Sequence, residues 1–362
     1  MRKSPKLGDF YFTNYIFHSI FSIHIYMRGN MANIIIKGKE IKKTEEVEVC
    51  TANTVLNGSV KYDQGRKGHY LFKEGQKYNI KPYTIGKFEV TQELYKAVLE
   101  GNEKCIQVPN KFRAFPAQSE IQELRPVEQI TWYDAVFFCN ELTKQTMGSE
   151  HCVYTITDIK RTEKPGFHEP GSFEFVCFTA DGISVEEYTG KGSKELQYEE
   201  SERGYIFSAK VTADYNKKGW RLPTEIEWEY AARGANATTE DFAKVWSGTD
   251  YSGVDEKLPA DDDSLNEYAW YAANSDGRTH EVGLKKPNSL GLYDMSGNVW
   301  EWCSELYVHD GFDDSLVRNG TEHPVRGGGF SHNARLCSVA RRRDSVPEAK
   351  PCSCGIRLAR TL

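Results

Sequence analysis

The stretch GWRLPTEIEWEYAARG, Gly219 to Gly234, holds a helix written out between its own start and stop signals. Thr224 and Glu227 form a T-x-x-E capping box, in which the hydroxyl takes one orphan amide and the carboxylate another. Pro223 fixes the approach of the chain, and Gly234 stands where a left-handed closing residue belongs. The stretch thus reads as a short strand delivering a well-capped helix, with Trp228 and Tyr230 as core packing. Upstream, TIGKFEVTQELYKAVLEG (84–101) predicts a strand from Thr84 to Val90. A helix follows, capped by Thr91, with Leu94, Ala97 and Val98 on its apolar face and Gly101 as its stop. In TWYDAVFFCNELTK (131–144), Trp132, Ala135, Val136, Cys139 and Leu142 recur at helical spacing. Asn33 to Lys81 alternates apolar and polar residues around Asn57-Gly58, which predicts short strands and hairpins. Residues 151–215 are strand-like, with a loop around Gly190 to Gly204. From Gly234 to Leu362 helical periodicity fades, which predicts irregular loops and short strands.

The 362 residues are 39% hydrophobic and 27% charged, enough apolar material to bury a core. Wholesale disorder and collagen-like repeats are excluded. A formal charge of −6 argues against a general nucleic-acid binder, and no stretch is long and apolar enough for a membrane span. Nine cysteines are scattered along the chain, and their one close pair, Cys352 and Cys354, lacks a second pair at zinc-finger spacing. The histidines form no H-E-x-x-H and no cluster. Residues 1–30 are atypical: a basic start, then an apolar-aromatic run interrupted by His18 and His24, with no small-residue cleavage site. Two readings stand, an export segment or a misread start before Met31. The first places the protein outside the cell or at its surface, the second in the cytoplasm. The remainder, 31–362, is expected to be a single domain.

Five segments in one order carry a family resemblance: IGKFEVTQELY (85–95), RPVEQITWYDAVFFCNEL (125–142), Gly219 to Gly234, NSLGLYDMSGNVWEWC (288–303) and VRGGGF…GIRLAR (325–330 and 355–360). Together they resemble the formylglycine-generating-enzyme, or sulfatase-modifying factor, family over roughly Lys81 to Arg360. That resemblance implies an α+β fold, an elaborated C-type lectin domain of short strands, irregular loops and a few helices. Within the family, the tail is similar to the variable proteins of diversity-generating retroelements, of the Treponema type.

Three sites follow from the resemblance. Catalytic members carry two cysteines, five residues apart, just after R-G-G. Two thiolates suit Cu(I) and thiol exchange. Counted from Arg326-Gly327-Gly328, those positions hold His332 and Cys337, so no copper and no catalytic residue are expected. The family also holds Ca²⁺ in the loop containing LYDMSGNVWEW. Carried over, Asp294 and Glu301 would supply carboxylates, and Gly297 and Val299 main-chain carbonyls, for a structural ion; otherwise the two carboxylates bond turn amides.

The third site is the variable region, 326–357. Gly327, Gly328, Ala334, Arg335, Cys337, Val339, Arg342, Pro347, Gly355 and Arg357 look like its framework. Phe330, Ser331, His332, Asn333, Leu336, Ser338, Arg341, Arg343, Asp344, Ser345, Val346, Cys352 and Ser353 look like its diversified, ligand-binding positions. An asparagine AAC codon altered at its adenines becomes NNC, which cannot encode Lys, Glu, Gln, Met or Trp, and these thirteen residues include none of the five. Phe330, His332, Leu336, Arg341, Arg343 and Asp344 are expected on one exposed face. The expected function is non-catalytic binding of variable protein or cell-surface ligands. The alternatives are an oxidase of formylglycine-generating type acting on peptide cysteine, or an inert lectin-like domain.

Overall fold

The structure, a computed structural model, describes residues 33–58, 71–100, 119–161, 205–250, 261–308 and 320–362. The first thirty residues, Gly101 and the Gly190–Gly204 loop lie outside them. In the first part of the chain β1 (Ile35–Ile36) pairs with β2 (Lys39–Glu40). After β3 (Glu46–Cys50), β4 (Thr54–Asn57) pairs antiparallel with β5 (Lys77–Ile80). Next, β6 (Tyr83–Gly86) is buried throughout. The expected strand to Val90 therefore ends early. Beyond Gly86 the backbone turns to loop partners, with the Lys87 amide donating to Glu45 O and the Val90 amide to Ile356 O.

Local capping signals locate the helices. α1 (Gln92–Leu99) starts at Thr91, whose hydroxyl accepts from the Leu94 amide, and it ends at Glu100. α2 (Trp132–Thr146) has a capping box built from Thr131 and Asp134. The two helices meet through Tyr95 and Phe138, stacked at 5.0 Å. β7 (Tyr154–Arg161) and β8 (Ile206–Ala213) form an antiparallel ribbon. β9 (Trp220–Arg221) then delivers α3 (Glu225–Ala232), in which both halves of the Thr224–Glu227 box are made. Gly234, at φ +81°, closes it as expected. After the short α4 (Asp263–Asn266) come β10 (Trp300–Trp302), β11 (His323–Arg326), β12 (Arg343–Ser345), β13 (Cys354–Gly355) and β14 (Ala359–Thr361).

Two four-stranded sheets position the tail. One has the order β3-β6-β14-β9 and is antiparallel, with Ala359 of β14 opposite both Ile85 and Arg221. The other has the order β12-β11-β10-β13, antiparallel except for the parallel pair β10–β13. One core cluster joins α1 and α2 to Trp300, Trp302 and Val325. A second gathers Tyr83, Ile85, Trp228, Met295 and Cys303. Large apolar side chains contribute roughly 1.5–3 kcal/mol each when buried, which lets strands of two or three residues persist. This is the α+β architecture that the motifs imply. Among the described residues no helix is long and apolar enough to cross a membrane.

Candidate functional site

Side chains alternate along a strand, and on β10 that alternation sorts the site. Trp300 and Trp302 join the cluster around α1 and α2, and the Trp302 indole donates to Ile130 O at 3.1 Å. Glu301, between them, turns the other way, toward α3. There it accepts the Trp228 indole N–H at 2.6 Å and the Arg357 guanidinium at 2.8 Å. Arg326, opposite Glu301 on β11, pairs with Glu229 and, at 3.3 Å, with Glu225. Arg342 makes two 2.8 Å bonds to the same Glu225 carboxylate. Three arginines of the tail, Arg326 and the framework residues Arg342 and Arg357, thus meet buried carboxylates on α3 and β10. Charges this deep are tolerated because each is paired.

The tail folds back over this frame. Gly328 sits at φ +77°, and a Cβ there would lie 2.6 Å from Cys337 Sγ. The turn at Ala334–Cys337 is started by Asn333, whose side chain accepts from the Leu336 amide at 3.2 Å. Of the diversified set, Ser331, Leu336, Arg341, Arg343, Asp344, Ser345 and Val346 are half-buried. Phe330, His332, Asn333, Ser338, Cys352 and Ser353 are buried. The expected single exposed face is therefore corrected, because Phe330 and His332 are interior residues. Phe330 is 3% exposed and packs on Cys352. Its amide donates to Asn298 O at 2.8 Å and its carbonyl accepts Ser275 Oγ at 2.7 Å, which draws the tail down onto neighbouring turns. Among the framework residues Ala334, Cys337, Val339, Arg342 and Arg357 do face inward, while Arg335 is half-buried.

At the two positions equivalent to the copper-binding thiols stand a buried histidine and a single buried thiol. His332 Nε2 faces the Trp300 indole N–H at 3.4 Å, and Ser331 Oγ lies 3.4 Å from its Nδ1. Burial, reinforced by Arg343 and Arg341, pulls this imidazole down to about 3, so it is neutral. Burial pushes the Cys337 thiol up to about 12, so it stays protonated. A single thiol beside a histidine does not reproduce the two soft thiolates that Cu(I) and thiol exchange require. These two residues do not fit the copper pair.

The expected calcium residues lie close together but are differently engaged. Asp294 Oδ2 accepts the Gly283 amide at 2.7 Å, and its buried Oδ1 has no hydrogen-bond partner among the described residues. Glu301 is committed to Arg357 and Trp228. Glu89 bonds Asn298 Nδ2 at 2.7 Å and the Val299 amide at 3.1 Å. Burial raises Asp294 to about 6, partly offset by Gly283 and Arg357. Burial, with Asp294 and Glu301 adding repulsion, lifts Glu89 well above the usual carboxyl range. Among the described residues no three His, Cys, Asp or Glu side chains group as a metal site. Of the expected set, Glu301 is turned to a guanidinium, whereas the buried Asp294 Oδ1 keeps an unused acceptor among the described residues.

Sequence reasoning passed over Glu89, Glu225 and Glu229. For the last two the available signal was an acidic helix, α3, matched by two arginines of the tail, Arg326 and Arg342. Trp228, read as packing alone, also hydrogen-bonds Glu301.

A family model described as a sulfatase-modifying factor enzyme 1-like domain matches residues 37–362. A chaperone protein, LppX, of Paenibacillus barcinonensis is 28% identical, over 72% of this chain and 74% of its own length. The formylglycine-generating enzyme of Streptomyces coelicolor is 31% identical over 41% of this chain, a match spanning about half (49%) of that enzyme. Among solved structures, Treponema denticola variable protein 1 superposes with a TM-score of 0.58 at 29% identity, covering 91% of this chain and 98% of that one.

Proposed function

The chain belongs to the sulfatase-modifying factor family, and from that membership we propose that it is a non-catalytic binding protein whose residues 326–357 form a diversified face. One observation carries this reading. Where a thiol pair would stand, one position is a buried histidine whose Nε2 meets the Trp300 indole and the other is a lone buried thiol, Cys337. The likeness to a variable protein over nearly the whole of both chains supports it further.

The division within the tail is also that of a binding surface. Buried Phe330, His332, Asn333, Ser338, Cys352 and Ser353 set its shape. Half-buried Ser331, Leu336, Arg341, Arg343, Asp344, Ser345 and Val346 offer adaptable hydrogen bonds, charge and apolar area. A protein or cell-surface ligand suits such a mixed, rigidly backed surface.

Two measurements test the reading. Incubation with Cu(I), oxygen and a sulfatase-type cysteine peptide should leave the peptide mass unchanged. Turnover that disappears in Cys337→Ala would overturn the proposal in favour of the oxidase. In a screen against immobilised cell-surface proteins, exchanging the seven half-buried residues should change which ligands are retained.

A further inference from the structure

Trp300 precedes the tail, yet two of the tail's diversified positions rest on it. It is 3% exposed, and its amide donates to Ser353 O at 2.6 Å. The indole N–H meets His332 Nε2 at 3.4 Å, with the rings edge to face at 86° and their centroids 5.4 Å apart. The Arg343 guanidinium carbon lies 5.9 Å from the centroid of the same ring.

These contacts differ in kind. A buried indole N–H has a fixed direction, and leaving it without an acceptor is costly. A ring face tolerates cations, planar groups and plain apolar contact with little directional demand. His332 meets the first requirement because its imidazole is neutral, with a lone pair on Nε2 and the proton on Nδ1 near Ser331 Oγ. Asn, Asp and Ser could also accept there, whereas Leu, Val and Phe could not.

We infer that Trp300 is a fixed, specificity-determining residue of the binding face, a positioning residue that selects hydrogen-bond acceptors at 332 and supports varied side chains at 343. This rests on the binding reading, since it takes 332 and 343 to be positions that vary. Variation at 332 is then confined to polar acceptors, and differences in ligand preference come from 343 and its half-buried neighbours.

The first test needs no ligand. Position 332 is randomised in the displayed full-length chain, in the native and Trp300→Phe backgrounds, and folded clones are recovered by protease resistance. The substitution keeps a ring and removes the N–H. In the native background Asn, Asp, Ser and His should outnumber Leu, Val and Phe by roughly tenfold. With Trp300→Phe the ratio should fall to about one, since no donor remains to be satisfied. The same preference in both backgrounds, or none in the native one, overturns the inference. If Trp300→Phe yields no folded clones, the native ratio decides.

The second test separates this inference from the function on which it rests. Libraries varied at Ser331, Leu336, Arg341, Arg343 and Asp344 are sorted for folding and panned on immobilised lysozyme as an arbitrary folded protein. Several-fold more binders from the native background than from Trp300→Leu support the role of Trp300. Equal recovery overturns that role and leaves the binding reading standing. No binders from either background counts against the binding reading, and the ratio at 332 then judges Trp300 independently.

Discussion

Arg342 and Arg343 are neighbours in sequence and belong to different regions of the molecule. Arg342 is bonded twice to Glu225 and lies 4.6 Å over the Tyr307 ring, part of the ionic frame under α3. Arg343 is half-buried and leans toward Trp300 on the other side of the sheet. The pleat of β12 separates the two, because consecutive side chains leave a strand on opposite sides. On the proposed reading, a region that varies is thus threaded through one that does not, provided the register holds. A slip of one residue would exchange frame and face.

The comparison fails most visibly if the frame proves dispensable. Arg357→Ala leaves Glu301 buried beside Glu89 and Asp294 without its guanidinium. The expected loss is about 3–5 kcal/mol in urea unfolding, or failure to fold. A loss below about 1 kcal/mol would mean that the ionic frame does not hold the tail. Next in size is a contrast inside the diversified set. Phe330→Ala should cost about 3 kcal/mol as a core truncation, whereas Arg343→Ala should cost under about 1 kcal/mol. Equal costs would erase the distinction between buried and half-buried positions.

A smaller effect separates frame and face by pH. Glu305 Oε1 accepts the Glu225 amide at 2.6 Å, and burial, then repulsion from Glu225, raises Glu305 from 4.5 to about 8. The native state holds this proton after the unfolded chain has lost it. The stability it contributes is therefore complete below about 4.5 and lost as pH rises toward about 8. His332, depressed by burial from 6.5 to about 3, acts in the opposite sense, and its contribution is lost as pH falls below about 6.5. In Tm profiles against pH, Glu305→Gln should flatten the alkaline limb and His332→Asn the acidic one. Profiles that overlay the wild type would remove both groups from the account. The smallest expected effect concerns the turn around Asp294. Since Glu301 is committed to Arg357, melts in excess calcium and in EDTA should coincide. A rise of several degrees in calcium would mean that Asp294 and the carbonyls of Gly297 and Val299 do hold the ion.

What was legible in the sequence was local. Thr91, Thr224, Glu227 and Gly234 mark helix ends because caps are satisfied within one turn of chain. His332 at a thiol position was equally plain, because it needs no geometry to be read. The depth of Phe330 and His332 was not. It is set by Asn298, Ser275 and Trp300, which are distant in sequence and carry no spacing signal. The same holds for Glu225 and Glu229, whose partner Arg326 lies 101 and 97 residues away. Strand β6 stopped short of Val90 for a related reason, since Ile356 claims that amide from the far end of the chain.

β14 sits between β6 and β9, yet the ribosome reaches it only after residues 326–357, the stretch proposed to be diversified. A frameshift or stop codon acquired in 326–357 removes it, and β6 and β9 then face each other across the width of a missing strand. Such a product cannot close its sheet and is left to proteolysis. The topology therefore acts as a proofreader. It leaves the half-buried positions of the tail free to change, but only in a message read in frame to β14.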